Sequence, residues 1–181
     1  MFTSMLALAF VVCMHTTSGQ GISVELDLGY NVPGGDFADA YDGGVGIAIH
    51  PRLKLGGNMA AGLSLGVNGF AGVDQSGGVA GTGDVSAVGV TTVMGTFQYK
   101  LFDRNITPYA EIGVGFWNGE IVSADLTNAA TGNVPTESVS SVGFSPEIGF
   151  MLSFLNVYAA YTVAGDFNYV QAGLGFRFGS K

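Results

Sequence analysis

The stretch TPYAEIGVGFWNG, residues 107–119, alternates two kinds of residue along its length. One face carries Ala110, Ile112, Val114 and Phe116. The other face carries Tyr109, Glu111, Gly113, Gly115 and Trp117. Because successive side chains of a β-strand point to opposite faces, this period of two predicts a strand rather than a helix. The strand has an apolar face and a face on which a carboxylate lies among glycines, so its two sides are expected to meet different surroundings.

The composition of the chain limits the class of protein. The 181 residues are sufficient for one domain. They are 48% hydrophobic and only 11% charged, whereas a soluble domain is about a quarter charged. After the first twenty residues, no apolar stretch is long enough for a transmembrane helix. The hydrophobicity is therefore expected to be distributed over alternating strands.

The N-terminus is typical of an export signal. Residues 5–14 (MLALAFVVCM) form an apolar core, and Thr17, Ser18 and Gly19 provide small residues for cleavage before Gln20. The sequence therefore predicts a cleaved signal peptide over residues 1–19 and a mature domain over residues 20–181. The only cysteine, Cys13, lies within the signal. The mature chain would then have neither a disulfide nor a thiolate metal site.

Seven further segments show the same period, so the chain contains eight alternating segments. The fourth is irregular, because Val88 and Val90 have the opposite parity to Val93. A β-bulge near Thr91 and Thr92 would reconcile its two halves.

The connections between these segments alternate in length. They contain about ten, three, about twelve, four, about fifteen and two residues in order, followed by a few before the last segment. Long loops at one end and tight turns at the other are typical of an up-and-down barrel in an outer membrane, where the turns face the periplasm. Segments of about ten residues also match the length of a tilted transmembrane strand.

The contents of the two faces indicate which one points outward. One face is nearly all large apolar residues, and the other is rich in glycine, serine and charge. An eight-stranded barrel has room inside only for side chains, so the large apolar residues are expected to point outward, into lipid. The predicted fold class is all-β, an eight-stranded antiparallel up-and-down transmembrane β-barrel in the bacterial outer membrane. A soluble barrel or sandwich is the alternative.

Four segments carry a resemblance to a known family. They are YNVPGGDFADAYDGG at 30–44, PYAEIGVGFW at 108–117, SPEIGFMLSF at 145–154 and NYVQAGLGFRFG at 168–179. The chain resembles the small outer-membrane β-barrels that include the OmpA transmembrane domain and OmpX. This resemblance implies a monomer that is inserted by the barrel-assembly machinery. The predicted partners are outer-membrane lipid and lipopolysaccharide, and neither a cofactor nor a nucleic-acid partner is expected.

Parity also places a set of charged residues on the inward face of the barrel. The set comprises Glu25, Asp27, His50, Arg52, Lys54, Glu111, Glu147 and Arg177. Charges in a narrow lumen are tolerated when they pair or stay hydrated. The favoured interpretation is a network that plugs the lumen. The alternative is a narrow gated path for ions or protons, in which Glu25 exchanges partners with Arg177 on the neighbouring last strand.

The sequence contains candidates for two other kinds of site, a metal site and a catalytic site. The first-loop acids Asp36, Asp39 and Asp42 are a speculative divalent-cation site, against the simpler interpretation that they are solvated loop acids. An enzyme that modifies lipid A would need a serine, a histidine and a carboxylate within reach of lipid. His50 points inward by parity and no serine has an evident histidine partner, so the chain is predicted not to be an enzyme.

The outer loops carry most of the acids, whereas the six basic residues lie toward the periplasmic end. The outer rim is therefore expected to attract cations. The long loop SADLTNAATGNVPTE at 123–137 identifies no ligand.

The predicted function is a structural or surface-interaction role, of the adhesion or receptor type, with an unknown extracellular ligand bound through the outer loops. The alternative is a small porin-like pore that favours cations.

Overall fold

The computed structural model describes residues 21–73, 84–102, 105–125 and 136–179. The predicted signal peptide lies outside these ranges, as do the middle parts of the second and third long loops. Eight antiparallel strands follow one another around a closed barrel in chain order. The predicted fold class is therefore confirmed.

The described elements are eight strands and one short helix. Their bounds are β1 Ile22–Pro33, α1 Asp36–Ala40, β2 Tyr41–Gly56, β3 Met59–Gly72, β4 Asp84–Lys100, β5 Thr107–Asp125, β6 Thr136–Leu152, β7 Leu155–Ala164 and β8 Phe167–Gly179. The five-residue helix α1 lies in the first long loop, where the sequence predicted no helix. Within the described ranges, no helix has the length and apolarity needed to cross a membrane.

Pairing between the first and last strands closes the barrel. The register of β1 with β8 runs from Ser23 opposite Gly179 to Pro33 opposite Tyr169. Because closure lets the backbone groups of these two terminal strands pair with each other, the sheet can lie in hydrocarbon without an unpaired edge at that seam.

The two faces of the sheet differ sharply in exposure. The outward side chains of Val45, Phe116 and Ile148 are 66–68% exposed, whereas Glu25 and Trp117 on the inward face are completely buried. An apolar outer surface on a closed barrel is stable only in lipid, and single-chain barrels of this kind occur in bacterial outer membranes. The chain is therefore a transmembrane protein of the outer membrane.

The predicted bulge in β4 is wrong. The register of β4 with β3 is continuous from Met59 opposite Tyr99 to Ala71 opposite Ala87. Val88 and Val90 accordingly point into the lumen, where they are 2% and 0% exposed. The change of parity arises because the lumen itself becomes apolar toward its outer end, and the strand is not interrupted.

Inward glycines make room for large side chains on neighbouring strands. A Cβ added at Gly149 would lie 2.6 Å from the ring of Tyr109, and one added at Gly119 would lie 2.5 Å from the ring of Phe167. Real Cβ atoms do not approach other atoms so closely. These two glycines therefore allow a narrow barrel to hold aromatic residues in its interior.

Candidate functional site

Five side chains from five strands form a closed ring of hydrogen bonds across the lumen, which we call the luminal ring. Arg177 Nε donates to Glu25 Oε2 at 2.6 Å, and Arg52 Nη1 donates to Glu25 Oε1 at 2.9 Å. Arg52 also donates to both oxygens of Glu111, at 2.9–3.1 Å. Gln98 Nε2 donates to Glu111 Oε2 at 2.9 Å, and Gln98 Oε1 accepts from Arg177 at 3.4 Å. The ring links β1, β2, β5, β4 and β8, so it ties opposite walls of the barrel together.

A branch connects this ring to the remaining wall. Asn156 Nδ2 donates to Glu25 Oε1 at 3.2 Å and to the Tyr109 hydroxyl at 2.7 Å. That hydroxyl in turn donates to Glu147 Oε1 at 2.5 Å. Glu147 lies directly opposite Glu111 in the β5–β6 register. The branch therefore brings β6 and β7 into the network, and it places two carboxylates side by side.

Substitution of Glu147 with glutamine is expected to change the free energy of unfolding by less than about 1 kcal/mol, in the stabilising direction if at all. The amide oxygen can still accept from Tyr109, and the like charge opposite Glu111 is removed. Urea titration of the folded barrel, read by gel mobility before boiling, measures this change. A loss of several kcal/mol would mean that the Glu147 charge itself stabilises the barrel.

His50 extends the network toward β3. Its Nε2 lies 3.0 Å from Asp27 Oδ2 and 3.4 Å from Ser64 Oγ, and Arg52 Nη2 lies 3.3 Å from its Nδ1. Because a guanidinium only donates, Nδ1 is the accepting nitrogen and Nε2 carries the ring hydrogen. Nε2 is within ion-pair distance of Asp27, but neither oxygen of that carboxylate accepts a hydrogen bond from the described residues. The expectation that no serine has a histidine partner is therefore wrong, since Ser64 has inward parity and lies beside His50. However, Asp27 and Ser64 share one nitrogen, whereas a catalytic relay places them at opposite nitrogens.

Lys54 lies outside this network. It shares the inward parity of Arg52, but its side chain is exposed at the end of β2. Its backbone N–H donates to Gly21 O at 3.0 Å. The parity of a residue predicts the face of the sheet on which its side chain lies, but not its position along the barrel axis. The strand β2 continues past the end of the enclosed lumen.

The three first-loop acids also remain separate from any site. Asp36 and Asp39 lie in the first turn of α1 and Asp42 follows in β2, and all three are exposed. In the part of the chain that the structure describes, no three His, Cys, Asp or Glu side chains come together in a way that could hold a metal ion. A divalent-cation site at these three acids stays a prediction.

Four members of the network were missed because they are uncharged. They are Ser64, Gln98, Tyr109 and Asn156, all of them buried. Each has inward parity, so the signal was present in the sequence, but the predicted network comprised only acidic residues, basic residues and histidine. These neutral groups complete the ring and join it to β3, β6 and β7.

The outer end of the lumen holds an apolar layer, which we call the aromatic cap. Phe37 of α1 packs edge to face on Phe70 and Phe167, with ring centroids 5.0 and 5.8 Å apart. Phe70 in turn packs on Tyr169 at 5.3 Å. Trp117 belongs to the same cluster and its Nε1 donates to the Tyr169 hydroxyl at 3.4 Å. The lumen is thus polar below and apolar at its outer mouth.

Solved structures of outer-membrane proteins share this architecture. Neisserial surface protein A is 9% identical over 88% of this chain and 98% of its own, with a TM-score of 0.52. OprG from Pseudomonas aeruginosa is 11% identical over 89% of this chain and 96% of its own, with a TM-score of 0.50. The chain has the fold of a small eight-stranded outer-membrane β-barrel. At these identities the similarity of the barrel to both proteins concerns the fold alone.

A third similar structure is Ail, the attachment invasion locus protein of Yersinia pestis, in complex with the heparin analogue sucrose octasulfate. It is 14% identical over 88% of this chain and 97% of its own, with a TM-score of 0.49. No protein-family model and no curated protein matches the sequence of the chain.

Proposed function

We propose that this protein is a surface-interaction protein of the outer membrane, with a closed barrel as anchor and a partner-binding surface at its outer end. The observation that carries the proposal is a three-stranded sheet, formed by β4, β5 and β6, which projects beyond the rest of the barrel. The strands β5 and β6 have 19 and 17 residues, whereas β7 has only 10.

The projecting sheet has an open side. Pairing of β6 with β5 continues to Thr136 opposite Val122, but pairing of β6 with β7 ends at Phe144 opposite Val163. Within the described ranges, no strand pairs with residues 136–140 of β6 on the side away from β5. Unpaired backbone groups at such an edge are able to accept an added strand from another polypeptide.

The outward face of the same sheet supports its placement outside the membrane. Along β5, outward residues are apolar up to Phe116 and become polar at Asn118 and Glu120. Ser140 of β6 donates to Asn118 Oδ1 at 2.6 Å at this level. The open edge of β6 therefore lies above the lipid, where a partner in the surroundings of the cell has access to it.

Blocking this edge should abolish adhesion. We expect cells that display the barrel to bind to a coating of matrix and serum proteins more than vector-only cells do. Attachment of a maleimide polymer to Ser138→Cys on β6 should return binding to the vector level. Attachment of the same polymer to Asp166→Cys, exposed at the turn between β7 and β8, should leave binding unchanged. Equal loss at both positions, or no binding above the vector, would contradict a role for the β6 edge.

Whether the lumen is closed to ions is tested separately. Because the luminal ring connects β8, β1, β2, β5 and β4 without a break, we expect folded protein in a planar bilayer to give no discrete openings. A gel-mobility shift between unboiled and boiled samples shows first that the protein is folded. Cation-selective openings that change in Glu25→Gln would instead favour the small pore as the function of the barrel.

A further inference from the structure

The aromatic cap closes the outer mouth through a single side chain of α1. Phe37 is the only buried residue of this five-residue helix, and it is 5% exposed. No side chain caps the helix, and so short a helix is not stable by its own hydrogen bonds. The position of α1 therefore depends largely on the insertion of the Phe37 ring.

One backbone hydrogen bond beside each end of α1 attaches this segment to the barrel. At the C-terminal end, Ala40 O accepts from Val73 N at 3.0 Å. At the N-terminal end, Gly34 N donates to Asn168 O at 2.8 Å, and Gly35 follows with a positive φ of 58°. Glycine tolerates large changes of φ and ψ, so Gly35 provides a pivot for α1.

Hydrogen-bonded amide side chains lie beneath the space that Phe37 fills. Below the cap, Asn31 Nδ2 donates to Asn68 Oδ1 at 2.9 Å, and Gln171 Nε2 donates to the same oxygen at 3.2 Å. Further down, the hydrogen bonds of the luminal ring cross the lumen. A molecule that enters from outside would therefore stop in the cap, so this feature is a binding site rather than a route across the membrane.

We infer that the aromatic cap is a binding pocket for a small uncharged aromatic molecule, and that Phe37 occupies it when no such molecule is present. The walls that receive Phe37 are themselves rings, which pack edge to face on it and favour another aromatic ring in its place. The exposed acids Asp36, Asp39 and Asp42 lie on or beside α1, so an anionic aromatic is disfavoured at the same mouth.

The single tryptophan, Trp117, lies in the wall of the cap and reports on binding. Nitrobenzene quenches tryptophan fluorescence on contact, so titration of the folded wild-type barrel should give saturable quenching. 4-Nitrobenzoate, of similar size but negatively charged, should not saturate. In Phe37→Ala, half-saturation should occur at a nitrobenzene concentration lower by about tenfold or more, because no side chain competes for the pocket.

A relocated tryptophan corrects for nitrobenzene that partitions into detergent or lipid. The variant Trp117→Phe with Phe116→Trp moves the fluorophore to the outward face of the same strand, and its quenching should rise without saturation. If quenching of the wild-type barrel also rises without saturation, as in this control, the inference is wrong. This holds even if Phe37→Ala binds nitrobenzene, because Phe37 would then be a permanent part of the core in the wild type. If Phe37→Ala does not fold, the wild-type titration and its control still decide the question.

Discussion

Replacement of Arg52 by methionine is expected to lower the free energy of unfolding by about 3–5 kcal/mol, the range found when one partner of a buried ion pair is removed. Arg52 is 3% exposed, and it makes hydrogen bonds to two carboxylates, those of Glu25 and Glu111. Methionine fills a similar volume but leaves Glu111 without a cationic partner in the luminal ring. The midpoint of urea unfolding in detergent, read by gel mobility, measures the effect.

Lys54 provides the matched control for Arg52. It lies two residues along the same strand with the same parity, but its side chain is exposed. Lys54→Met should therefore change stability by no more than about 0.5 kcal/mol. Combining Arg52→Met with Glu111→Gln should recover part of the loss, since Glu25 keeps Arg177 as its cationic partner and Glu111 then carries no unpaired charge. Equal effects of Arg52→Met and Lys54→Met would show that the luminal ring does not stabilise the barrel.

The face of the sheet on which each side chain lies could be predicted from the sequence, because successive side chains of a strand point to opposite faces. Glu25, Arg52, Glu111 and Glu147 were placed on the inward face, and they lie there. The proximity of Glu25 to Arg177 also followed from topology, since the first and last strands of a closed barrel must be neighbours. The structure shows these two residues opposite each other in the β1–β8 register.

The same period could not predict how far along the lumen each residue lies. It also could not predict the hydrogen-bond partners of the neutral side chains. Parity carries no information about where the enclosed part of the lumen ends, so Lys54 was included wrongly. It also does not say whether the inward face is polar or apolar at a given level, so Val88 and Val90 were misinterpreted. The position of α1 depends on contacts of Phe37 with β3 and β8, which are distant in sequence.

Placing a single methyl group on Gly149 is expected to destabilise the barrel by about 1–3 kcal/mol, the usual effect of overpacking a filled interior. The new Cβ would lie 2.6 Å from both the ring and the hydroxyl oxygen of Tyr109. Tyr109 is 1% exposed and is held by hydrogen bonds to Glu147 and Asn156, so it cannot move aside without loss of those bonds. Urea unfolding of Gly149→Ala, read by gel mobility, measures the change.

Gly89 separates this steric effect from the general effect of removing a glycine. It lies on the outward face of β4, where a Cβ would meet no atom within 4 Å. Gly89→Ala should therefore be neutral or stabilising by up to about 1 kcal/mol, because alanine restricts the unfolded chain. A loss in Gly149→Ala alone would mean that inward glycines are required by the size of their neighbours. Equal changes in both variants would mean instead that the narrow interior has unused space beside Tyr109, and that the network of the lumen is less closely packed than its hydrogen bonds indicate.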